Sequence, residues 1–221
     1  MRNKLRELIG ESFKKSRFRM HPNGFYQLDL AVGERCPPTR MHMWVPEPVK
    51  AQKNHNPIHN HTFSFDSFVL MGELTHREYS ITPSQNGDGT HQLYNIVRGK
   101  SERTIMKPTG EIVSASKVGE GIFIAGERYS FGAGSFHESI GKPGELTVTL
   151  MRKYPDTRYS NPQVAGIKKY DTGDNDFERD KIDRSIPLKC LVTLLDTFDL
   201  KVLNAAIKFI DEPIRKVKNK A

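Results

Sequence analysis

From about residue 25 to residue 152 the chain alternates short stretches rich in Val, Ile, Phe and Tyr with clusters of Gly, Pro and Asn. This texture constrains the fold more than any other feature of the sequence. β-Branched and aromatic residues suit a pleated, half-buried surface, and the turn residues interrupt each stretch before a helix of useful length can form. The spacing predicts strands at Tyr26–Val32, Met41–Val45, Ser67–Leu70, Glu73–Ile81, Gln92–Val97, Glu111–Ala115, Gly121–Ile124 and Glu145–Arg152. Turns are predicted at Asn86-Gly87-Asp88-Gly89, Pro108-Thr109-Gly110 and Gly141-Lys142-Pro143-Gly144. Many short strands punctuated in this way make a β-sandwich or a barrel.

The two ends read differently. Over residues 3–17, Leu5, Leu8, Ile9 and Phe13 follow helical spacing with charges between them. Near the C-terminus, Ile186, Leu188, Leu191, Leu194, Leu195 and Phe198 form one apolar set, and Val202, Leu203, Ala206, Ile207, Ile210 and Ile214 form another. Two amphipathic helices joined near Asp199-Leu200 fit that pattern, their apolar faces covering the barrel or a second copy of the chain. Residues 154–181 are polar and poor in large aliphatics, yet carry Tyr154, Tyr159 and Tyr170, so they read as a linker or an excursion packed over the barrel. The expected organisation is an N-terminal helix (1–24), a barrel (25–153), a polar connecting segment (154–181) and C-terminal helices with a basic tail (182–221).

Several function classes fall away. No run of eighteen apolar residues exists, which excludes a membrane-spanning helix, and Met1 to Leu8 contains no apolar leader, so a cytoplasmic protein is expected. Cys36 and Cys190 are too few and too far apart for a disulfide framework or a zinc-finger spacing and read as reduced thiols. The net charge of +8 is spread out. Its densest runs, Lys14-Lys15-Ser16-Arg17 and Arg215-Lys216-Val217-Lys218-Asn219-Lys220, read as solvated ends, and no nucleic-acid motif accompanies them. The expected partners are a small-molecule substrate and, through the apolar helices, a second copy in a homodimer.

The chemistry concentrates at His59-Asn60-His61. Two histidines one residue apart on an extended chain point to the same side, so their imidazoles can converge on one ion. Asp66 can add an oxygen, or orient a histidine ring instead. His137, in the Gly-rich stretch Gly132-Ala133-Gly134-Ser135-Phe136-His137, can add a third nitrogen. Three nitrogens and an oxygen suit a divalent transition metal. Along the next predicted strand, Leu74, His76 and Glu78 share one face and Thr75, Arg77 and Tyr79 the other. A cavity-facing Arg77 with Tyr79 would suit an anionic substrate, which makes these two the candidate catalytic residues. His55 lies in the approach to the pair, Arg128 and Tyr129 could line the mouth, and Trp44 reads as core.

The order of these residues resembles the cupin superfamily. Its first motif, a His-x-His followed by a carboxylate and a glycine, is matched by His59, His61, Asp66 and Gly72. Its second, a glycine, a Pro-x-Gly and a histidine, is matched by Gly126, Gly132, Gly134 and His137, with Gly132 in the place of the proline. Asp66 replaces the usual glutamate, and the long gap between the motifs implies an insertion around residues 83–110. The resemblance covers about residues 40–153. It implies a mainly β, cupin-like double-stranded β-helix, a jelly-roll barrel, with an N-terminal helix and a C-terminal helical extension. It also implies a metal-dependent cupin acting on a small molecule, with a mononuclear non-haem iron dioxygenase-like oxidoreductase as the leading activity. A non-catalytic ligand-binding cupin and a metal-dependent isomerase are the alternatives. Fe(II) is the expected cofactor, with Mn, Ni or Zn as alternatives. With Asp66 on the metal the ligand set resembles three-His, one-carboxylate cupins; without it, the three-His set resembles cupin thiol dioxygenases.

Overall fold

The computed structural model describes residues 2–15, 19–34, 36–47, 57–98, 104–167, 175–177, 197 and 199–213. Helix α1 (Arg2–Lys15) precedes β1 (Arg19–His21), β2 (Phe25–Asp29), β3 (Thr39–Trp44), β4 (Phe63–Met71), β5 (Glu73–Pro83), β6 (His91–Arg98), β7 (Thr104–Ile124), β8 (Arg128–Phe131), β9 (Phe136–Gly141), β10 (Thr147–Pro155), β11 (Gln163–Ile167) and β12 (Asn175–Phe177). Helix α2 (Leu200–Asp211) follows. The first sheet runs β1-β2-β3-β10-β4-β8 and the second β11-β6-β7-β5-β9, with β12 on β7. The named strand pairs are antiparallel. From β3 onward the chain passes back and forth between the sheets: β3, residues 58–60 against β9, β4, β5 and β7, β8, β9, then β10. That alternation is the jelly roll.

The strand predictions locate most of these elements, with four differences. Glu111–Ala115 and Gly121–Ile124 belong to one long strand, β7, whose first half pairs with β6 and whose second half pairs with β5. The turn predicted at Pro108-Thr109-Gly110 lies inside β7, where the register slips between Gln92 and Tyr94 and Gly110 takes φ +87°. The stretch expected to hold an insertion, around residues 83–110, contributes β6 and the first part of β7, which pair with each other. The connecting segment also contributes structure, because β11 pairs with β6. The short strands β1, β8, β9 and β11 carry too little apolar alternation to stand out in the sequence.

The largest apolar cluster lies on the outer face of the first sheet, under the two helices. Tyr26, Leu28, Met41, Met43, Phe68, Leu70, Val148 and Leu150 meet Leu5 and Ile9 of α1 and Leu203, Ala206, Phe209 and Ile210 of α2. Helix α2 presents these at helical spacing, and Asp199 caps it by accepting from the amides of Lys201 and Val202. Ser12 ties α1 to the sheet, since its Oγ accepts from the Ala31 amide at 2.8 Å. No helix among the described residues is long and apolar enough to cross a membrane. The first predicted C-terminal helix, Cys190, the basic tail and His55 lie outside the described residues.

Candidate metal centre

Strand parity builds the site. On β2, β3 and β10 the residues between the apolar ones turn inward, so Phe25, Gln27, Arg40, His42, Trp44, Thr149 and Met151 line a cavity between the sheets. Phe65 and Ser67 of β4 and Tyr129 of β8 continue that wall. His59, His61, His137 and Ser139 face them. The cavity offers about 40 Å³, room for a few water molecules.

His59, His61 and His137 converge. A ring nitrogen of each lies within 4.8 Å of the others, and the ring centroids stand 4.5–5.0 Å apart. Backbone bonds fix this arrangement. The His59 amide donates to the His137 carbonyl at 3.0 Å, and the His137 amide donates back at 2.8 Å. On the other side of residues 58–60, the Ala165 amide of β11 donates to Ile58, so the His-x-His segment is held between β9 and β11. The Gly134 amide donates to the His61 carbonyl at 2.8 Å. Gly134 has φ +76°, and a Cβ there would overlap the Tyr159 ring, so the loop before His137 requires glycine.

The tautomers follow from the partners. A carbonyl oxygen can only accept, so Nδ1 of His59, 2.8 Å from the Pro57 carbonyl, carries the proton and Nε2 keeps its lone pair. His137 Nδ1 stands in the same relation to the Ser135 carbonyl at 3.4 Å. Burial pushes all three histidines below the usual imidazole range, His61 and His137 well below. His59, His21, Arg40 and His42 add to the depression at His61, and His59, His61 and His76 to that at His137, whereas the Pro57 bond and Glu138 partly oppose it at His59. Neutral imidazoles with converging lone pairs are the form a divalent transition metal takes. The donor set therefore fits such an ion.

The other site residues from the sequence lie elsewhere. Asp66 is not brought to the histidines: it accepts from Ser130 Oγ at 2.6 Å and Tyr154 OH at 2.8 Å. Its position explains why. Phe65 and Ser67 face the cavity, and Asp66 between them faces out. The inward residue four places after His61 is Phe65, whose ring centroid lies 5.6 Å from that of His137. Arg77 and Tyr79 are also on the outer face. Arg77 Nε donates to Glu120 at 2.7 Å, and Tyr79 OH donates to Glu138 at 3.0 Å, so both are engaged in an ion-pair network away from the cavity. The inward residue of β5 is His76, buried against Tyr129, Phe131 and His137 with Nδ1 3.0 Å from Ser139 Oγ. Trp44 is cavity wall rather than core, its ring tilted against that of Phe25 at 4.7 Å. Gln27, Arg40 and His42 were not singled out by sequence; their signal is the alternation with Leu28, Met41 and Met43.

A jelly roll with a His-x-His held against a third histidine on a neighbouring strand decides the fold type. The barrel is cupin-like.

No family model and no curated protein matches the sequence. Among solved structures, the cupin-like barrel is similar to Drosophila melanogaster CENP-C bound to CAL1, at 8% identity over 63% of this chain and 76% of that one, TM-score 0.34. It is similar to a variant of oxalate decarboxylase from Bacillus subtilis at 15% identity, over 67% of this chain and 29% of that one, TM-score 0.36. A recombinant oxalate oxidase in complex with glycolate overlaps at 14% identity, 61% and 53% coverage and TM-score 0.32. The strand order and the histidines, not these overlaps, carry the assignment.

Proposed function

We propose that the cupin-like barrel is a mononuclear metal-dependent oxidoreductase acting on a small molecule, of the non-haem iron dioxygenase kind. The observation that carries this reading is the convergence of three neutral, backbone-held imidazoles on one side of a small cavity, with Phe65 rather than a carboxylate packed beside them. His59, His61 and His137 would hold the ion, His59 and His137 through the nitrogens left free by their carbonyl partners. A bound iron(II) ion supplies open coordination positions for a substrate and dioxygen, which is the chemistry an incomplete ligand set permits. The chain's own contribution is exclusion and orientation: Phe63 stacks on His61 at 4.5 Å, and Phe65 and Phe131 pack on His137, keeping the rings fixed and the metal side dry. The absence of Asp66 from the cluster favours the three-histidine arm of the resemblance, that of the thiol dioxygenases.

Metal content of the purified protein beside His61→Ala tests the reading. Iron near one per chain in the wild type, lost in the variant, with oxygen uptake on a panel of thiols, amino acids and catechols, is the expected result. Absence of bound metal after reconstitution with iron, manganese, nickel and zinc in turn overturns it.

A further inference from the structure

We propose that the cavity between α1 and α2 is a second binding site, for one small neutral molecule with a single aromatic ring. It lies on the outer face of the first sheet, across the strands from the histidines, and goes beyond the metal-centre reading. Leu5 and Leu8 of α1, Ile207 and Ile210 of α2, and Val32 and Cys36 of the β2–β3 connection surround about 140 Å³. Leu5 and Ile210 are members of the main apolar core, and Leu8, Val32 and Ile207 pack against it. A cavity of about 150 Å³ with walls of this kind excludes water and accepts one benzene molecule. The connection that closes the cavity is pinned. The Ala31 amide donates to Ser12 Oγ of α1 at 2.8 Å, and the Cys36 amide donates to the Gly33 carbonyl at 2.9 Å. The loop cannot relax into the space without losing these bonds.

Charge selects a neutral occupant. The charged side chains lining the cavity are Lys4 and Asp211, both exposed and paired at 2.6 Å. Asp211 neutralises Lys4, and a carboxylate entering between them would meet Asp211. Below this pair the wall is aliphatic apart from the Cys36 thiol, so a charged group would be desolvated there with no counter-charge. The thiol selects a ring. Sulfur is polarizable and packs favourably at an aromatic edge, and no aromatic side chain among the described residues lines this cavity to take that place. One six-membered ring fills the volume. Such a ligand touches both helices, so its binding joins α1 to α2 and stabilises the fold.

Cys36 is half-buried in the wall, so its reactivity reports occupancy. The full-length protein would be treated with iodoacetamide in the presence of toluene, cyclohexane or benzoate, and alkylation at Cys36 followed by peptide mass spectrometry. Toluene near saturation should slow the reaction at least about fivefold and raise Tm. Cyclohexane should bind about threefold more weakly, and benzoate should give no protection. Ala31→Leu, which fills the space, should abolish protection by toluene and leave the metal content unchanged. Absence of protection by toluene, equal protection by benzoate or by cyclohexane, or full protection retained in Ala31→Leu overturns the proposal. The three ligands on the wild-type protein decide the matter even where Ala31→Leu fails to fold. None of these readouts involves the histidines, so failure here leaves the metal centre standing, and loss of the metal centre leaves this site standing.

Discussion

The two faces of the first sheet are made from the same strands and have opposite characters. On β2 and β3 the inward residues are Phe25, Gln27, Arg40, His42 and Trp44; the outward ones are Tyr26, Leu28, Met41 and Met43. On β10 the pattern repeats, with Thr149 and Met151 inside and Val148 and Leu150 outside. The outer face is sealed by α1 and α2 and carries the main apolar core, while the barrel interior carries polar and titratable groups. Stability and chemistry are thus separated by a single residue of strand period. An interior that among the described residues holds six histidines, five of them lining the cavity, and an unpartnered amide is tolerable because the packing energy is stored on the other side of the same backbone.

Acid should break the inner face first and most strongly. Burial holds His42 down at about 3 and His76 at about 4, His61 and His137 well below the usual range, and His59 below it. The folded protein keeps these rings neutral while the unfolded chain protonates them below about pH 6.5. The unfolded state then binds more protons, so stability rises with pH through this window. Their contribution is fully present above about pH 6.5 and is lost as pH falls, at up to about 1.4 kcal/mol per pH unit for each ring. Denaturant midpoints of metal-free protein should be flat from about pH 7 to 8 and fall steeply toward pH 5. His42→Phe should reduce that slope, and a slope indifferent to His42 would contradict the assignment.

Mutation of the outer face should separate stability from metal binding. Phe209 is fully buried, packs on Phe68 at 5.7 Å and lies against the guanidinium groups of Arg128 and Arg152. Phe209→Ala should cost about 3–5 kcal/mol and leave the acid slope and the metal content per folded molecule unchanged. His137→Ala should do the reverse and empty the metal centre. Calorimetry and metal analysis on the two variants make the comparison, and metal loss in Phe209→Ala while the protein stays folded would show the faces to be coupled.

A smaller effect is expected at the edge of that core. Arg152 is 1% exposed; it donates to the side chain of Glu212 at 3.2 Å and to its carbonyl, and Arg128 reaches the other carboxylate oxygen at 3.0 Å. This latch fastens the C-terminal end of α2 to the barrel. Glu212→Ala leaves a buried guanidinium short of a counter-charge and should cost about 1–3 kcal/mol, less than a fully buried pair because Glu212 is 38% exposed. Arg152→Met, which removes the charge and fills the space, should be nearly neutral. Equal losses in the two, by urea titration, would mean that packing of the arginine stem matters more than its charge.

The sequence made the strands, the helices and the histidine pair legible because each rests on a local period. Two histidines at i and i+2 share a face whatever surrounds them, and the second cupin-like stretch supplied His137. The inner wall was harder to read, because hydropathy says which face of a strand is more apolar and not which side encloses the cavity. Here the more apolar face lies outside, under helices distant in sequence. That is why Trp44 read as core and why Gln27, Arg40 and His42 were passed over. The same ambiguity placed Arg77 and Tyr79 in the cavity when β5 turns Leu74 and His76 inward. Asp66 was decidable by counting, since five residues from His61 along a strand reverses the side chain.

That count yields the finest test of the two faces. Phe65 is the inward residue nearest the position a carboxylate ligand would take, and Asp66 is bound to Ser130 and Tyr154 on the other side. Phe65→Glu places a carboxylate inside, where without metal its burial must destabilise the fold. With metal present the carboxylate gains a partner, so the loss should be recovered and the affinity for divalent ions should rise, by about tenfold at fixed pH. Asp66→Asn should leave metal affinity within about twofold, since its side chain acts outside the barrel. Isothermal titration of both variants with manganese reads the difference directly. A large loss of affinity in Asp66→Asn, with Phe65→Glu inert, would mean that β4 turns its other face to the metal and that the inner and outer surfaces have been exchanged.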